Sequence, residues 1–366
     1  MESAVKHYTG VFSELGRQLG LVASALRGKG DPDRLPEKAR ELFIAGIECF
    51  KDNPWFTRDE VSRAFKNLSL MLESDRLLSW LENYPELESQ PGKGKVAGVV
   101  MAGNIPLVGF HDMMCTLACG YSFTGKLSST DKMLPRAVAS MIREIDPETG
   151  SRIRLGRKLP GNIDALIATG SDNSARYFEY YYSGTPRIIR GNRNSAAVLD
   201  GLETGRELAA LGVDVFSHYG LGCRNVSFLL LPIGFDTGVF ARHWKVFDHV
   251  LQNPKYLSNY KYHKALLRAD AREFTDTGNT LLVESGSTAS PVSVINYMHY
   301  SSAAEAAGFI RRNEQKLQCI TGRSDIVKGI GVLPFGSSQQ PGPGDYPDGI
   351  DTISFLNDTG KSLSLL

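Results

Sequence analysis

Beyond residue 95, short apolar runs alternate with stretches whose apolar residues recur at helical spacing, and this alternation limits the fold more than any other feature. Residues 96–101 read as a buried strand, 105–119 as a helix closed by Gly120, 122–127 as a strand and 134–145 as a helix. Residues 165–168, a helix from Ser171, and residues 187–190 continue the pattern. A second stretch of the same texture starts near Cys223. It holds a strand at 228–232, a long helical region from Phe240 to about Phe274, strands at 280–283 and 291–295, and a helix from Ala303. Successive strand-helix-strand units need right-handed crossovers and a parallel sheet, so the fold is α/β.

Upstream the texture is helical. Pro36 opens a helix near its first turn, and Ala39, Leu42, Phe43, Ile47 and Phe50 recur along it. Thr57-x-x-Glu60 resembles a capping box ahead of Val61, Phe65, Leu68 and Leu72. The polar, turn-rich join Gln90-Pro91-Gly92-Lys93-Gly94-Lys95 then marks a boundary near residue 90. At roughly 100–200 residues per domain, two or three units are expected. The tail from Pro334 to Asp351 is dense in Gly, Pro and Gln and reads as a loose loop or a docking arm.

Charge excludes some functions. Lys and Arg total 41 against 40 Asp and Glu, and the basic residues are scattered, which argues against nucleic acid as a partner. The N-terminus lacks the apolar core of a signal peptide, and the longest apolar run, 228–231, is far short of the ~20 residues that span a bilayer. A cytoplasmic protein is expected. The five cysteines, Cys49, Cys115, Cys119, Cys223 and Cys319, form no CxxC pair or His-rich spacing, so neither a disulfide framework nor a metal site is expected.

Ligands of open α/β sheets bind at the carboxyl ends of the strands, which directs attention to the segments after each strand. Ala102-Gly103-Asn104-Ile105-Pro106 follows the first. There the Asn104 amide can donate to a developing oxyanion, although a helix N-cap is the simpler reading. Lys126 and Ser128-Ser129-Thr130 follow the second, a cation and hydroxyls suited to ribose or phosphate oxygens or to a solvated strand end. Thr169-Gly170-Ser171 is a strand-to-helix turn fit for a pyrophosphate, without a GxGxxG fingerprint. The strongest local feature is His218-Tyr219-Gly220-Leu221-Gly222-Cys223-Arg224-Asn225, where glycines admit a ligand and the neighbouring cation can favour a thiolate. Most cysteines are small buried hydrophobes, and Cys115 and Cys119 fit that reading. His111 and His218 are the nearby histidines that can donate a proton, and a lone His is more often structural.

Taken in order, Gly103-Asn104-Ile105-Pro106, Lys126-Leu127-Ser128-Ser129, Thr169-Gly170-Ser171, Gly191-Asn192-Arg193-Asn194 and Gly222-Cys223 resemble the motif ladder of the aldehyde dehydrogenase superfamily. The branch it resembles is the acyl-CoA reductases related to the long-chain fatty acid reductase subunit of bacterial bioluminescence. Phe335-Gly336-Ser337-Ser338-Gln339 and Asp348-Gly349-Ile350-Asp351 are similar to its closing segment. The resemblance implies two parallel-sheet domains: 1–90 a helical region, 91–215 the nicotinamide-cofactor domain, 216–333 the catalytic thiol domain, and 334–366 an arm returning to the cofactor domain or a partner subunit. It implies Cys223 as nucleophile, Asn104 and the backbone N–H of Cys223 as oxyanion donors, Lys126 on the adenosine ribose side and Ser171 at the pyrophosphate. His218 is the candidate acid, and Ser128, Ser129 and Gly170 complete the cofactor set.

Departures from the family pattern sharpen the reading. Ile189 stands where hydrolytic relatives carry the Glu that activates water, and Arg190 beside it cannot act as a base. Ser129 replaces an acid that repels a 2′-phosphate, which admits NADPH, with NADH as the alternative. Ser287 stands where relatives hold the nicotinamide ribose with a Glu, and Glu284 is a substitute. The expected activity is NADPH-dependent reduction of an acyl-CoA or other acyl thioester to an aldehyde. The alternatives are an NAD-dependent acylating dehydrogenase and an idle acyl-binding scaffold. The resemblance also implies an acyl-activating partner enzyme and a homo-oligomer.

Overall fold

Two units of the chain make most of their contacts internally: Met1–Gly191 with Pro341–Leu366, and Asn192–Gln340. The structure, a computed structural model, describes residues 3–170, 172–323 and 325–363.

In the first unit four helices precede the sheet: α1 (Ala4–Leu26), α2 (Glu37–Glu48), α3 (Arg58–Met71) and α4 (Ser74–Leu81). Tyr8, Phe12, Leu15, Leu19, Val22 and Leu26 recur every three or four residues and bury one side of α1. Pro36 stands at the N-cap of α2, and Thr57 at that of α3 without a side-chain cap hydrogen bond.

Then follow β1 (Val96–Val100), α5 (Phe110–Ala118), β2 (Ser122–Lys126), α6 (Met133–Ile145), α7 (Pro147–Ser151), β3 (Ile153–Gly156), β4 (Ala165–Thr169), α8 (Asp172–Tyr181) and β5 (Arg187–Arg190). The sheet order is β3-β2-β1-β4-β5, all parallel. The chain winds from β1 through β2 to β3, then crosses to β4 on the other side. The carboxyl ends of β1 and β4 therefore flank a topological switch point.

Phe12, Leu15 and Phe65 share one apolar core with Val99, Phe110 and Phe123. The residues before 90 are thus a layer of this unit rather than a separate domain, because α1, which packs mainly on α2, α3 and α4, also meets α5 and α6 beside the sheet within that one core.

The second unit contains β6 (Asn194–Val198), α9 (Gly205–Phe216), β7 (Val226–Pro232), α10 (Val239–His243), α11 (Pro254–Ala269), β8 (Thr275–Asp276), β9 (Leu281–Glu284), β10 (Val294–Tyr300), α12 (Ala303–Arg312) and β11 (Leu317–Gly322). Its sheet runs β11-β6-β7-β10-β9-β8, parallel except for β8. The border expected at 215/216 lies at 191/192, because β6 pairs with β7 and β11 and carries α9 with it. The long helical region breaks at Asn253, whose side chain accepts the Lys255 N–H at 3.0 Å, with Pro254 opening α11.

Pro341 returns the chain to the first unit, where α13 (Thr352–Leu363) closes it. Tyr121 donates to the Leu356 carbonyl at 2.9 Å, and Trp80 Nε1 to Tyr346 Oη at 3.1 Å. The expected arm at 334–366 divides accordingly. Residues 334–340 stay with the second unit.

Candidate active site

Two loops of the first unit meet at the carboxyl ends of β1 and β2. Thr130 Oγ1 donates to the Gly103 carbonyl at 2.9 Å, and Asn53 Nδ2 reaches the same oxygen at 3.3 Å. A Cβ on Gly103 would lie 2.4 Å from Ser128 Oγ and 2.5 Å from Thr130 Oγ1, so the close approach requires glycine. Asn104 is exposed on this loop.

It is not the cap of α5, which starts at Phe110 with Gly109 in the N-cap position. The backbone turns away at Leu107, held in the left-handed region at φ 61°, and the Leu107 N–H donates to the buried Asp131 carboxylate at 2.9 Å. Burial pushes the Asp131 carboxyl up to about 7.

Lys126 ends β2 half-buried, Ser128 Oγ lies 2.9 Å from Thr130 Oγ1, and Ser129 is exposed. Gly170 follows β4 and donates its N–H to the Arg190 carbonyl at 3.3 Å. Ser171 lies outside the described residues. Lys126 and the exposed Ser129 hydroxyl present a cation and a donor, while the Ser128 and Thr130 hydroxyls are engaged with each other and with the Gly103 carbonyl. That chemistry fits the phosphate and ribose oxygens of a dinucleotide.

Beneath this surface the polar residues are structural. His111 is buried, its Nε2 2.8 Å from the Pro343 carbonyl, and burial holds its ring below the usual imidazole range. Arg190 grips Asp112 through two bonds of 2.7 and 2.8 Å and donates Nη2 to Thr352 at 2.9 Å. Ile189 packs half-buried beside Val100, Leu166, Ala168 and Phe178.

The thiol loop lies in the second unit, between α9 and β7. Cys223 is exposed, whereas Cys49, Cys115 and Cys119 are buried and Cys319 is half-buried. Burial raises the Cys49 thiol to about 12 and the Cys115 and Cys119 thiols well above the ordinary range.

His218, Tyr219 and Gly220 are consecutive left-handed residues at φ 51°, 57° and 76°. Buried Asn225 holds the turn: its Nδ2 donates to the Asp214 and Ser217 carbonyls at 2.9 and 2.8 Å, and its Oδ1 accepts the Gly222 N–H at 2.8 Å. Ser195 Oγ donates to the Cys223 carbonyl at 2.9 Å and lies 3.1 Å from Cys319 Sγ. Arg224 Nε donates to the Ser338 carbonyl at 2.6 Å, so part of its fork is committed to the chain. His218 is buried within the loop.

Ser287 Oγ donates to the Ala289 carbonyl at 3.0 Å. Glu284 is exposed at the end of β9, where its carbonyl accepts from Arg272 at 3.3 Å.

Sequence reasoning passed over Asp131, Ser195, Asp214 and the structural part of Asn225. Asn225 closes the quoted Cys motif, but nothing local distinguishes a buried hub from a surface amide. Among the described residues no group of three or more His, Cys, Asp or Glu is arranged to hold a metal ion, and no helix is long and apolar enough to cross a membrane.

Residues 45–218, just under half of the chain, match the family model described as Acyl-CoA reductase (LuxC). No curated protein matches the chain in sequence. Among solved structures, an aldehyde dehydrogenase from Brucella melitensis biovar abortus 2308 is 12% identical with a TM-score of 0.59, covering 92% of this chain and 80% of its own. Aldehyde dehydrogenase 21 from Physcomitrella patens, in complex with the product succinate, is 14% identical with a TM-score of 0.57, covering 96% and 84%. An indole-3-acetaldehyde dehydrogenase complexed with NAD+ is 12% identical with a TM-score of 0.58, covering 83% and 69%. The chain therefore carries the aldehyde dehydrogenase fold, and over residues 45–218 it is similar to the acyl-CoA reductase family.

Proposed function

We propose that the protein reduces an acyl-CoA, or an acyl thioester presented by an acyl-activating partner, to the aldehyde through a thioester on Cys223. The observation that carries this reading is the exposure of Cys223 in a braced loop, while three of the other four thiols are buried. The Cys223 thiolate attacks the acyl carbon, its carbon–sulfur bond forms as the bond to CoA breaks, and the CoA thiolate takes a proton from water. The backbone N–H of Cys223 is a donor for the oxyanion, and Asn104 Nδ2 is the side-chain donor that the family resemblance implies. When bound, NADPH supplies the hydride that reduces the thioacyl carbon. The resulting thiohemiacetal oxyanion collapses to the aldehyde and expels the Cys223 thiolate. No step of this sequence requires an acid, and burial suits His218 to holding the turn.

Lys126, Ser128, Ser129, Gly170 and Ser171 are the residues we assign to the cofactor. Exposed Ser129 puts no carboxylate against a 2′-phosphate, which favours NADPH over NADH. With Ile189 apolar and Arg190 locked to Asp112, β5 offers no base to activate water, which favours reduction over hydrolysis of the thioester.

Intact-mass measurement after incubation with acetyl- to palmitoyl-CoA, without cofactor, tests the reading. One acyl adduct on the wild type and none on Cys223→Ala is expected, with loss of NADPH-dependent aldehyde formation in the variant. An acylated or active Cys223→Ala protein rules the mechanism out.

A further inference from the structure

A closed path of hydrogen bonds runs through both neighbours of Cys223. On one side the Gly222 N–H donates to Asn225 Oδ1, and Asn225 Nδ2 donates to the Asp214 carbonyl. The fully buried Asp214 carboxylate accepts the N–H groups of Gly336 and Ser338 at 2.7 and 2.9 Å. On the other side the Ser338 carbonyl accepts from Arg224 Nε, which closes the path back to Cys223. Ser195, itself buried, holds the Cys223 carbonyl from a third direction. A buried carboxylate with two backbone donors from a distant segment is expensive to desolvate, and its donors are what keep it there.

We propose that Asp214, Asn225 and Arg224 are positioning residues for the Cys223 thiol, and that the 336–339 segment is the strap through which Asp214 and Arg224 act. The inference rests on the reading of Cys223 as acyl acceptor and names what sets that thiol's reactivity. Arg224 is assigned a geometric role because its Nε holds the Ser338 carbonyl, and a variant that keeps the charge without the fork separates that role from an electrostatic one. A nucleophile displaced by about 1 Å loses up to about a hundredfold in rate, so opening the path acts on the acylation step rather than on acyl-CoA binding.

The test is single-turnover acylation of the full chain, using whichever of acetyl- to palmitoyl-CoA acylates the wild type fastest. Asp214→Asn and Arg224→Ala are each expected to lower the limiting rate constant about tenfold, with the half-saturating concentration changed less than about twofold. The double variant is expected to stay near the single ones instead of falling about a hundredfold, because both cuts open one path. Arg224→Lys, which keeps the charge and loses the guanidinium fork, is expected to remain slow.

Wild-type rates in the single variants, multiplicative losses in the double, or rescue by Lys overturn the proposal. If Asp214→Asn does not fold by circular dichroism, the half-buried Arg224 pair decides alone. A wild type that forms no adduct on Cys223 removes the functional reading and the inference with it. An acylated wild type with unaffected variants removes only the inference.

Discussion

At the scale of single residues, burial separates side chains that sequence type leaves alike. Cys115 and Cys119 lie on or at the end of an apolar helix under the C-terminal segment, while Cys223 stands at the surface. In the native protein iodoacetamide is therefore expected to label Cys223 at least about a hundredfold faster than Cys49, Cys115 or Cys119, since thiolate fraction and access both govern the rate. Peptide mapping after brief labelling checks this, and equal labelling would contradict the burial pattern.

Asp131 gives a pH signature. Its folded value of about 7 lies above the ordinary Asp value of about 3.9, so the folded chain keeps a proton that the unfolded chain gives up. Its stabilising share is whole below about pH 3.9 and is lost as pH rises through 7. Asp131→Asn keeps an acceptor for the Leu107 N–H and removes the charge. Its Tm relative to wild type should climb between pH 5 and about pH 7 and then level off, by no more than about 3 kcal/mol of equivalent stability at roughly 1.4 kcal/mol per pH unit. A Tm difference that is flat with pH would refute the assignment.

At the scale of elements, Arg190 fastens β5 to α5 through Asp112 and to α13 through Thr352. Arg190→Met leaves Asp112 buried without its cation, a loss of about 3–5 kcal/mol when one partner of such a pair is removed. Urea denaturation should show a lowered midpoint. Limited proteolysis should cut first within 341–363, and unchanged protection there would show that apolar packing alone holds α13.

Much at this scale was legible: the strands at 96–101, 122–127 and 187–190 were marked by apolar runs between turn residues. The start of α5 was not. Pro106 and the pattern from Ile105 read as a continuous helix, and the left-handed Leu107 that breaks it is fixed by Asp131, a residue 24 positions away. β6 and β11 also escaped, because Asn-Ser-Ala-Ala-Val and Leu-Gln-Cys-Ile-Thr-Gly gain their burial from pairing with each other.

At the scale of the whole molecule, each unit has its own sheet and its own buried core. Local substitutions should be felt within their unit. Asn279→Ala, which removes the bonds of a buried amide to the Trp244 carbonyl and Asp248, should raise hydrogen exchange in 240–284. Arg190→Met should raise it in 110–118 and 352–363. Spread of either effect through both sheets would argue for one cooperative core.

By itself the sequence determined the α/β class, the ladder of loop motifs at strand ends and the place of Cys223 at its end. Those depend on local period and turn chemistry, which short stretches carry. Only the tertiary structure decided that β6 opens the second unit, that the tail divides at Gln340, and that Asn225, Asp214 and Ser338 enclose the thiol loop. Ser338 and Asp214 are 124 residues apart, and the partner a buried donor finds is set by where the backbones meet, which no local pattern encodes.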